Sequence, residues 1–218
     1  MEVLHGNIAE YLLSVTPDRS QILEEMEKYA GENNFPIVGP LVGRTLFLLA
    51  MAIQAKRVLE LGSGFGYSAY WFAKALGKEG EVICTDNSQE YADRASEYFR
   101  RAKISNKVTF LVGDALKLID QTEGEFDIIF IDIEKHNYPK AFRKALPRLR
   151  KGGFLISDNV LRSGKILDRS PDAGSAGILT YNRLVYSSKD LFTIIIPLRD
   201  GVSVSVKLET QYTSNPVG

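Results

Sequence analysis

A strand followed by a glycine-rich turn is the feature that most constrains this chain. Residues 56–61 alternate apolar and charged side chains, Gly62, Gly64 and Gly66 follow at every second position, and apolar and aromatic residues continue to Leu76. This order predicts a strand, a tight loop and a helix. Glycine lacks a Cβ atom, so the loop can turn sharply and its N–H groups can approach a ligand. A turn that binds nothing is the alternative interpretation.

The spacing of these glycines argues against one class of cofactor. Tyr67 stands where the dinucleotide-binding fingerprint has its last glycine. A nicotinamide cofactor is therefore disfavoured.

Composition excludes several kinds of partner. The 27 basic and 27 acidic residues balance, so no net charge attracts nucleic acid or an anionic membrane. A single cysteine, Cys84, can form no internal disulfide and indicates a reducing environment. No basic segment leads into an apolar run at the N-terminus, and no stretch of about eighteen apolar residues occurs. We expect a soluble, cytoplasmic protein that binds neither nucleic acid nor membrane.

Strands and helices alternate from Lys56 onward, which predicts a doubly wound α/β fold with a mostly parallel sheet. The turn signal at Asp200 and Gly201 adds an antiparallel hairpin at the C-terminal end. Seven strands are predicted in all, at residues 56–61, 81–86, 107–112, 126–132, 154–158, 192–197 and 202–208.

The first 54 residues have helical rather than strand-like patterns. A helix is predicted to begin near Ser20, an extended connector to span residues 35–40, and a buried helix to span residues 41–55. These N-terminal helices suggest a lid or a subunit contact. The length of 218 residues fits a single domain, with N-terminal helices at 1–54, an α/β core at 55–210 and a polar tail at 211–218.

Acidic or amide residues follow four of the predicted strands. In open α/β sheets, ligands bind outside the carboxyl ends of the strands. Asp86 follows the glycine loop at about the distance at which a carboxylate reaches a ribose, which suits an adenosine-containing cofactor. Asp114 and Ala115 are candidates for the adenine edge. Helix capping is the alternative for either aspartate.

A sharper set follows the fourth and fifth strands. Asp132, Asp158 and Asn159 offer two carboxylates and an amide oxygen at the ends of strands that lie about 4.8 Å apart if adjacent. These hard ligands predict Mg²⁺, with Mn²⁺ or Ca²⁺ possible. Lys135 follows Asp132 by three residues, where desolvation and a nearby cation would favour its neutral, proton-accepting form. A solvated surface lysine is the alternative.

At these residues the sequence resembles the metal-dependent S-adenosylmethionine (SAM) O-methyltransferases, the family of catechol and caffeoyl-CoA O-methyltransferases. The resemblance extends from about residue 36 to residue 165 and includes Asp200 and Gly201. Its matching segments are Val38-Gly39 with Gly43, Val58-Leu59-Glu60-Leu61-Gly62 with Gly66-Tyr67-Ser68, Gly113-Asp114-Ala115, Asp132-x-x-Lys135 with Tyr138, and Asp158-Asn159-Val160-Leu161.

The resemblance implies a Rossmann-like methyltransferase fold, a homodimer and a role for each matching residue. Val38, Glu60 and Gly62 would hold the methionine end of SAM, and Ser68 would bind the methionine carboxylate. Asp86 would bind the ribose, and Asp114 and Ala115 would border the adenine. Asp132, also beside the cofactor, would bind the metal with Asp158 and Asn159, and Lys135 would be the general base.

The implied reaction is the methylation of a hydroxyl on a small catechol-like or phenolic substrate. Two neighbouring hydroxyls would chelate the cation, Lys135 would accept a proton, and the oxyanion would attack the sulfonium methyl in line. No covalent enzyme intermediate is required.

Two departures from the family pattern concern the acceptor. Arg162 stands where members often have Trp, and Ile133-Glu134 replaces the commoner Ala-Asp. Arg162 would either suit an acidic acceptor or pair with a surface carboxylate.

Other classes of function share parts of this sequence pattern. They are a nucleotide-binding oxidoreductase, a non-catalytic cofactor-binding or scaffold protein, and a methyltransferase with a different acceptor.

Overall fold

A seven-stranded sheet forms the centre of the structure, a computed structural model that describes residues 6–209. The predicted polar tail at 211–218 lies outside the described residues. The strands are β1 (Arg57–Leu61), β2 (Glu81–Asp86), β3 (Val108–Val112), β4 (Phe126–Ile131), β5 (Leu149–Ser157), β6 (Leu191–Ile196) and β7 (Val202–Lys207). They agree with the seven predicted strands, with shifted ends.

The strands stand in the order β3-β2-β1-β4-β5-β7-β6. The first five are parallel, while β7 runs antiparallel to both β5 and β6. The predicted C-terminal hairpin is therefore confirmed, and its second strand is the one that pairs with the parallel part. This is the Rossmann-like arrangement that the alternating pattern predicted.

Eight α-helices occur in the described residues and cover both faces of the sheet. They are α1 (Gly6–Ser14), α2 (Gln21–Glu32), α3 (Gly39–Ala52), α4 (Tyr67–Ala75), α5 (Gln89–Arg101), α6 (Ala115–Gln121), α7 (Tyr138–Arg148) and α8 (Ala173–Ser187). No helix within residues 6–209 combines the length and the apolar character needed to cross a membrane.

The core has two layers because side chains alternate across each strand. Val58 packs among residues of α2 to α5 on one face, whereas Leu59 and Leu61 pack among residues of α6 to α8 on the other. Glu60 shares the face of Val58 and is fully buried there. A carboxyl group therefore lies inside an otherwise apolar layer, directly before the glycine loop.

Two elements begin more than one residue before their predicted start. Strand β5 begins at Leu149, not Phe154, because Gly152 adopts a φ of +71° and the pairing with β4 shifts register there. The glycine pair Gly152-Gly153 is thus an irregularity within the strand and not a segment that precedes it. Helix α3 begins at Gly39, inside the predicted connector, since Pro40 is well tolerated in a first helical turn.

Candidate active site

The carboxyl ends of β1, β2, β4 and β5 open into a cavity of about 430 Å³. Main-chain bonds extend the ladders one residue beyond the strands, from the nitrogen of Asp132 to the oxygen of Leu61 (2.9 Å) and from Asp158 to Ile131 (3.2 Å). Residues from the predicted set that line this cavity are Val38, Gly62, Ser68, Asp86, Asp132, Lys135, Asp158 and Asn159. The sheet therefore brings together residues that are far apart in sequence.

The glycine loop serves close packing and tight turning. Gly62 has a φ of +85°, and a Cβ atom at this position would overlap the main-chain oxygen of Asp132. The amides of Gly62 and Ser63 both donate to the oxygen of Thr85, at 3.1 and 2.9 Å. These two amides are therefore hydrogen-bonded within the protein. They do not serve as donors to a ligand, so at this point the glycines provide space for a ligand and not free N–H groups.

Behind the loop, Glu60 accepts hydrogen bonds from two serines. Its Oε2 atom lies 3.0 Å from the Oγ of Ser63, and its Oε1 atom accepts a bond from Ser68. Burial raises the pKa of Glu60 to about 8 against the effect of these two bonds. Ser63 and Ser68 line the cavity while Glu60 supports them from behind. The direct role of Glu60 in cofactor binding stays a prediction.

Asp86 joins the first cavity to a second one of about 530 Å³. Its Oδ2 atom accepts from the amide of Gly64 at 2.9 Å and its Oδ1 atom from that of Ser88 at 3.0 Å. Asp86 thus fixes the glycine loop, and Ser88 caps α5. A carboxylate oxygen can accept more than one hydrogen bond, so these contacts leave capacity for ribose hydroxyls.

Asp114 and Ala115 line the second cavity, which lies beyond Gly62 and Asp132. The Oδ1 atom of Asp114 accepts from the amide of Leu116 at 2.8 Å, so this aspartate does cap α6. Asp114 therefore both caps a helix, as the alternative interpretation predicted, and lies beside the second cavity. Together the two cavities form an elongated site with Asp86 at the junction.

The predicted metal ligands meet at the ends of β4 and β5. Asp158 is 3% exposed, and its Oδ1 atom has no hydrogen-bond partner. Burial and the charge of Asp132 raise the pKa of Asp158 to about 7. Within residues 6–209, no three His, Cys, Asp or Glu side chains form a metal-binding group, so the amide oxygen of Asn159 is needed as a third ligand. Two carboxylates, one of which has an oxygen without a partner, and an amide oxygen fit a hard divalent cation.

Lys135 is held beside this set. Its Nζ atom lies 2.6 Å from the Oδ1 of Asp132 and 5.2 Å from the ring centroid of Tyr138. Its side chain is only 16% exposed, so the solvated-lysine alternative is wrong. Tyr138 is buried and donates to the main-chain oxygen of Asp158 at 2.9 Å, which ties the two sides of the site together.

Several residues of the cavity wall had not been predicted as site residues. Arg199, Asp200 and Phe35 reach the cavity from the hairpin and from the connector before α3. Arg162 also lies in the wall, and it pairs with Asp172 at 3.2 Å. Two of them had a sequence signal: Arg162 by its position three residues after Asn159, and Asp200 by its turn signal and its match to the family pattern.

Comparison with known proteins defines the class of this site. The model of the O-methyltransferase family matches residues 13–208. The catechol O-methyltransferase of Niastella koreensis is 34% identical over 78% of this chain and 81% of its own length. A protein named probable caffeoyl-CoA O-methyltransferase 2, from Dictyostelium discoideum, is 30% identical over 74% of this chain and 73% of its own.

A solved structure gives the same result. The O-methyltransferase TomG from Streptomyces achromogenes, in complex with SAM, has a TM-score of 0.86 and 27% identity, covering 93% of this chain and 96% of its own. The seven-stranded sheet with its antiparallel β7 is thus that of a methyltransferase-type protein. This chain belongs to the O-methyltransferase family and is a SAM-dependent O-methyltransferase of the catechol and caffeoyl-CoA type. The oxidoreductase and scaffold alternatives are therefore set aside.

Proposed function

We propose that this enzyme needs a divalent cation and methylates one hydroxyl of a small catechol-like or hydroxylated phenolic substrate. One observation carries the proposal: Lys135, paired with Asp132 at 2.6 Å, shares a cavity with Asp158 and Asn159. A catechol has two neighbouring hydroxyls that suit a cation and a base held side by side. The names of the two relatives, which refer to catechol and to caffeoyl-CoA, support the same class of acceptor.

The cofactor-binding residues extend along the two cavities. Val38, Gly62 and Ser68 hold the methionine end of SAM in the first cavity, and Glu60 keeps Ser68 in place. Asp86 binds the ribose at the junction. Asp114 and Ala115 border the adenine in the second cavity. This assignment is supported by the order of the residues along the elongated site.

Asp132, Asp158 and Asn159 bind the cation, Mg²⁺ in first place and Mn²⁺ or Ca²⁺ as alternatives. Such an ion supplies positive charge that stabilises a substrate oxyanion near neutral pH. Lys135, in its neutral form, accepts the hydroxyl proton at its Nζ atom. The glycine loop and the wall around Asp132 hold donor and acceptor close together, which lowers the entropic cost of reaction.

A methyl-transfer assay tests the proposal. Purified enzyme is given SAM and a panel of catechols and hydroxycinnamoyl compounds, first with Mg²⁺ and then with excess EDTA. Turnover that EDTA abolishes and Mg²⁺ restores is the expected result. Turnover that does not change with EDTA would remove the cation from the mechanism. Turnover restricted to non-phenolic hydroxyls would contradict the proposed class of acceptor.

We further propose a homodimer in the cytoplasm. Light scattering on the purified protein at several concentrations measures the assembly, and fractionation of the source cells measures the location.

A further inference from the structure

Arg162 lies in the same turn as two of the proposed metal ligands. Its amide donates to the oxygen of Asn159 at 3.3 Å, and its side chain lines the first cavity. The turn is fastened from outside, since Leu161 donates to the main-chain oxygen of Asp200 at 2.9 Å and the Asp200 carboxylate accepts from the amide of Ser163. The turn that carries Arg162 is therefore held at a defined place in the wall of the first cavity, next to Asn159.

The ion pair with Asp172 does not satisfy all the hydrogen-bond donors of the Arg162 guanidinium. Only Nη2 contacts Asp172, at 3.4 and 3.2 Å from the two oxygens, so the guanidinium does not form a paired, two-nitrogen contact. The side chain of Asp172 is 52% exposed, and its Oδ1 atom is already used by the amide of Ser175 at 2.6 Å. Exposed ion pairs contribute about 0–1 kcal/mol. The Nε atom of Arg162 is buried and has no hydrogen-bond partner.

The other two basic groups in the cavity wall already have partners within the protein. Lys135 is paired with Asp132, and Nη1 of Arg199 donates to the oxygen of Ile37 at 2.6 Å. Three carboxylates and three basic groups lie at the acceptor end, namely Asp132, Asp158 and Asp200 with Lys135, Arg162 and Arg199. The divalent cation of the proposed function would leave this end positive. An acceptor that carries a second negative group, besides its ionised hydroxyl, would balance that charge.

We propose that Arg162 binds a carboxylate on the methyl acceptor and so selects catechol carboxylic acids, of the dihydroxybenzoate or dihydroxycinnamate kind, over neutral catechols. This inference rests on the proposed function and names the substrate class of the same site. A planar guanidinium matches a carboxylate in geometry and charge. The carboxylate is remote from the reacting hydroxyl, so the contact acts on binding in the ground and transition states alike. Its loss therefore raises KM and leaves kcat nearly unchanged.

The experiment compares an acid with its uncharged ester. Kinetic constants are measured for 3,4-dihydroxybenzoate and its methyl ester, and for caffeate and methyl caffeate, with SAM and Mg²⁺. Each is measured on the wild type, on Arg162→Gln, on Arg162→Lys and on a charge-matched control, Lys165→Gln. Lys165 is exposed on the same segment and does not line the cavity.

For the wild type we expect a higher kcat/KM on at least one acid than on its ester. Arg162→Gln should lower kcat/KM for that acid about ten- to a hundredfold, mostly through KM, and leave the ester within about threefold. Arg162→Lys should restore part of the preference, and Lys165→Gln should resemble the wild type. Equal losses on acid and ester would show a merely structural role, and an ester as good as its acid would overturn the inference.

Calorimetry separates this inference from the proposed function. The acid and the ester are each titrated into enzyme saturated with S-adenosylhomocysteine and Mg²⁺. Tighter binding of the acid, lost in Arg162→Gln, supports the carboxylate contact even where turnover is absent, in which case only the proposed reaction fails. Equal affinities for acid and ester overturn the contact while EDTA-sensitive turnover of both leaves the proposed function intact.

Discussion

The Nζ atom of Lys135 lies 2.6 Å from the Oδ1 atom of Asp132. The two side chains are 16% and 26% exposed, so this ion pair is less screened by water than a surface pair. Asp158, at the end of the neighbouring strand, has a buried oxygen without a partner. Asp132 is thus charge-paired within the protein, whereas Asp158 keeps one buried oxygen without a donor, which makes separate predictions for the two sides of the site.

Replacement of the proposed base should abolish most turnover. Lys135→Ala removes the proton acceptor at the cavity and is expected to lower kcat by about 10²- to 10⁴-fold. Lys135 is not one of the residues assigned to hold SAM, so S-adenosylhomocysteine should still bind. Turnover assays and calorimetry on the same preparation measure the two effects.

The matched control for this variant is Lys144→Ala. Lys144 also forms an ion pair, with Asp120 at 2.5 Å, but lines neither cavity. It should keep wild-type kcat. Wild-type activity in Lys135→Ala would remove this residue from the mechanism, and equal losses in both variants would point to a general loss of folding.

Asp158→Asn should separate metal binding from stability. The change keeps the shape of the side chain. It removes a carboxyl group whose pKa is raised to about 7 by burial and by the charge of Asp132. Ionisation of this group above its raised pKa opposes folding, so at pH 8 in EDTA the variant should melt at a higher temperature than the wild type. Mg²⁺ should bind at least about tenfold more weakly, because a ligand charge is lost.

Melting curves with EDTA and with Mg²⁺, together with Mg²⁺-titrated turnover, measure both effects. A variant that melts lower than the wild type in EDTA would contradict the assigned charge repulsion. A variant with unchanged Mg²⁺ dependence would remove Asp158 from the metal site.

Much of this site could be predicted because strand ends are readable from sequence. Apolar runs identify β2, β4 and the end of β5, and polar residues at or directly after the last residue of each run reach the carboxyl edge whatever the order of the strands. Asp86, Asp132 and Asp158 were found in this way, and all three line the first cavity. The local sequence pattern was sufficient to place these three side chains, because the position of each one depends only on where its own strand ends.

Contacts between distant segments could not be predicted in the same way. Nothing in the local pattern of residues 199–200 shows that β7 lies between β5 and β6, yet this placement brings Arg199 and Asp200 into the cavity wall. The predicted alternative that Arg162 pairs with a surface carboxylate is confirmed, but the identity of that partner, Asp172, depends on how the loop before α8 folds back. Their positions are set by tertiary packing, which periodicity does not report.

The glycine at the start of the loop should be irreplaceable. Gly62→Ala places a Cβ atom against the main chain of Asp132 at a φ of +85°. Left-handed backbone costs a non-glycine residue about 1–2 kcal/mol, and overpacking adds about 1–3 kcal/mol. Urea unfolding should show a loss of roughly 2–5 kcal/mol. Gly77→Ala is the control, since a Cβ atom there meets nothing within 4 Å, and equal stabilities of the two variants would contradict the packing argument.

Glu60→Gln should change how stability depends on pH. Burial raises the pKa of Glu60 from 4.5 to about 8, so between these values the folded protein keeps a proton that the unfolded chain releases. Stability contributed by this group is therefore fully present below about pH 4.5 and falls as pH rises toward 8, by at most about 1.4 kcal/mol per pH unit. Gln has no such ionisation and can still bond Ser63 and Ser68.

The stability of Glu60→Gln relative to the wild type should accordingly increase from pH 5 to pH 8, measured by urea unfolding of the cofactor-free proteins at several pH values. Glu79→Gln, an exposed carboxyl at the end of the turn before β2, should show no such trend. A constant difference between Glu60→Gln and the wild type across this range would mean that Glu60 is ionised in the folded protein. Its bonds to the two serines would then stabilise a buried charge, and the group behind the glycine loop would be an anion facing the cofactor site.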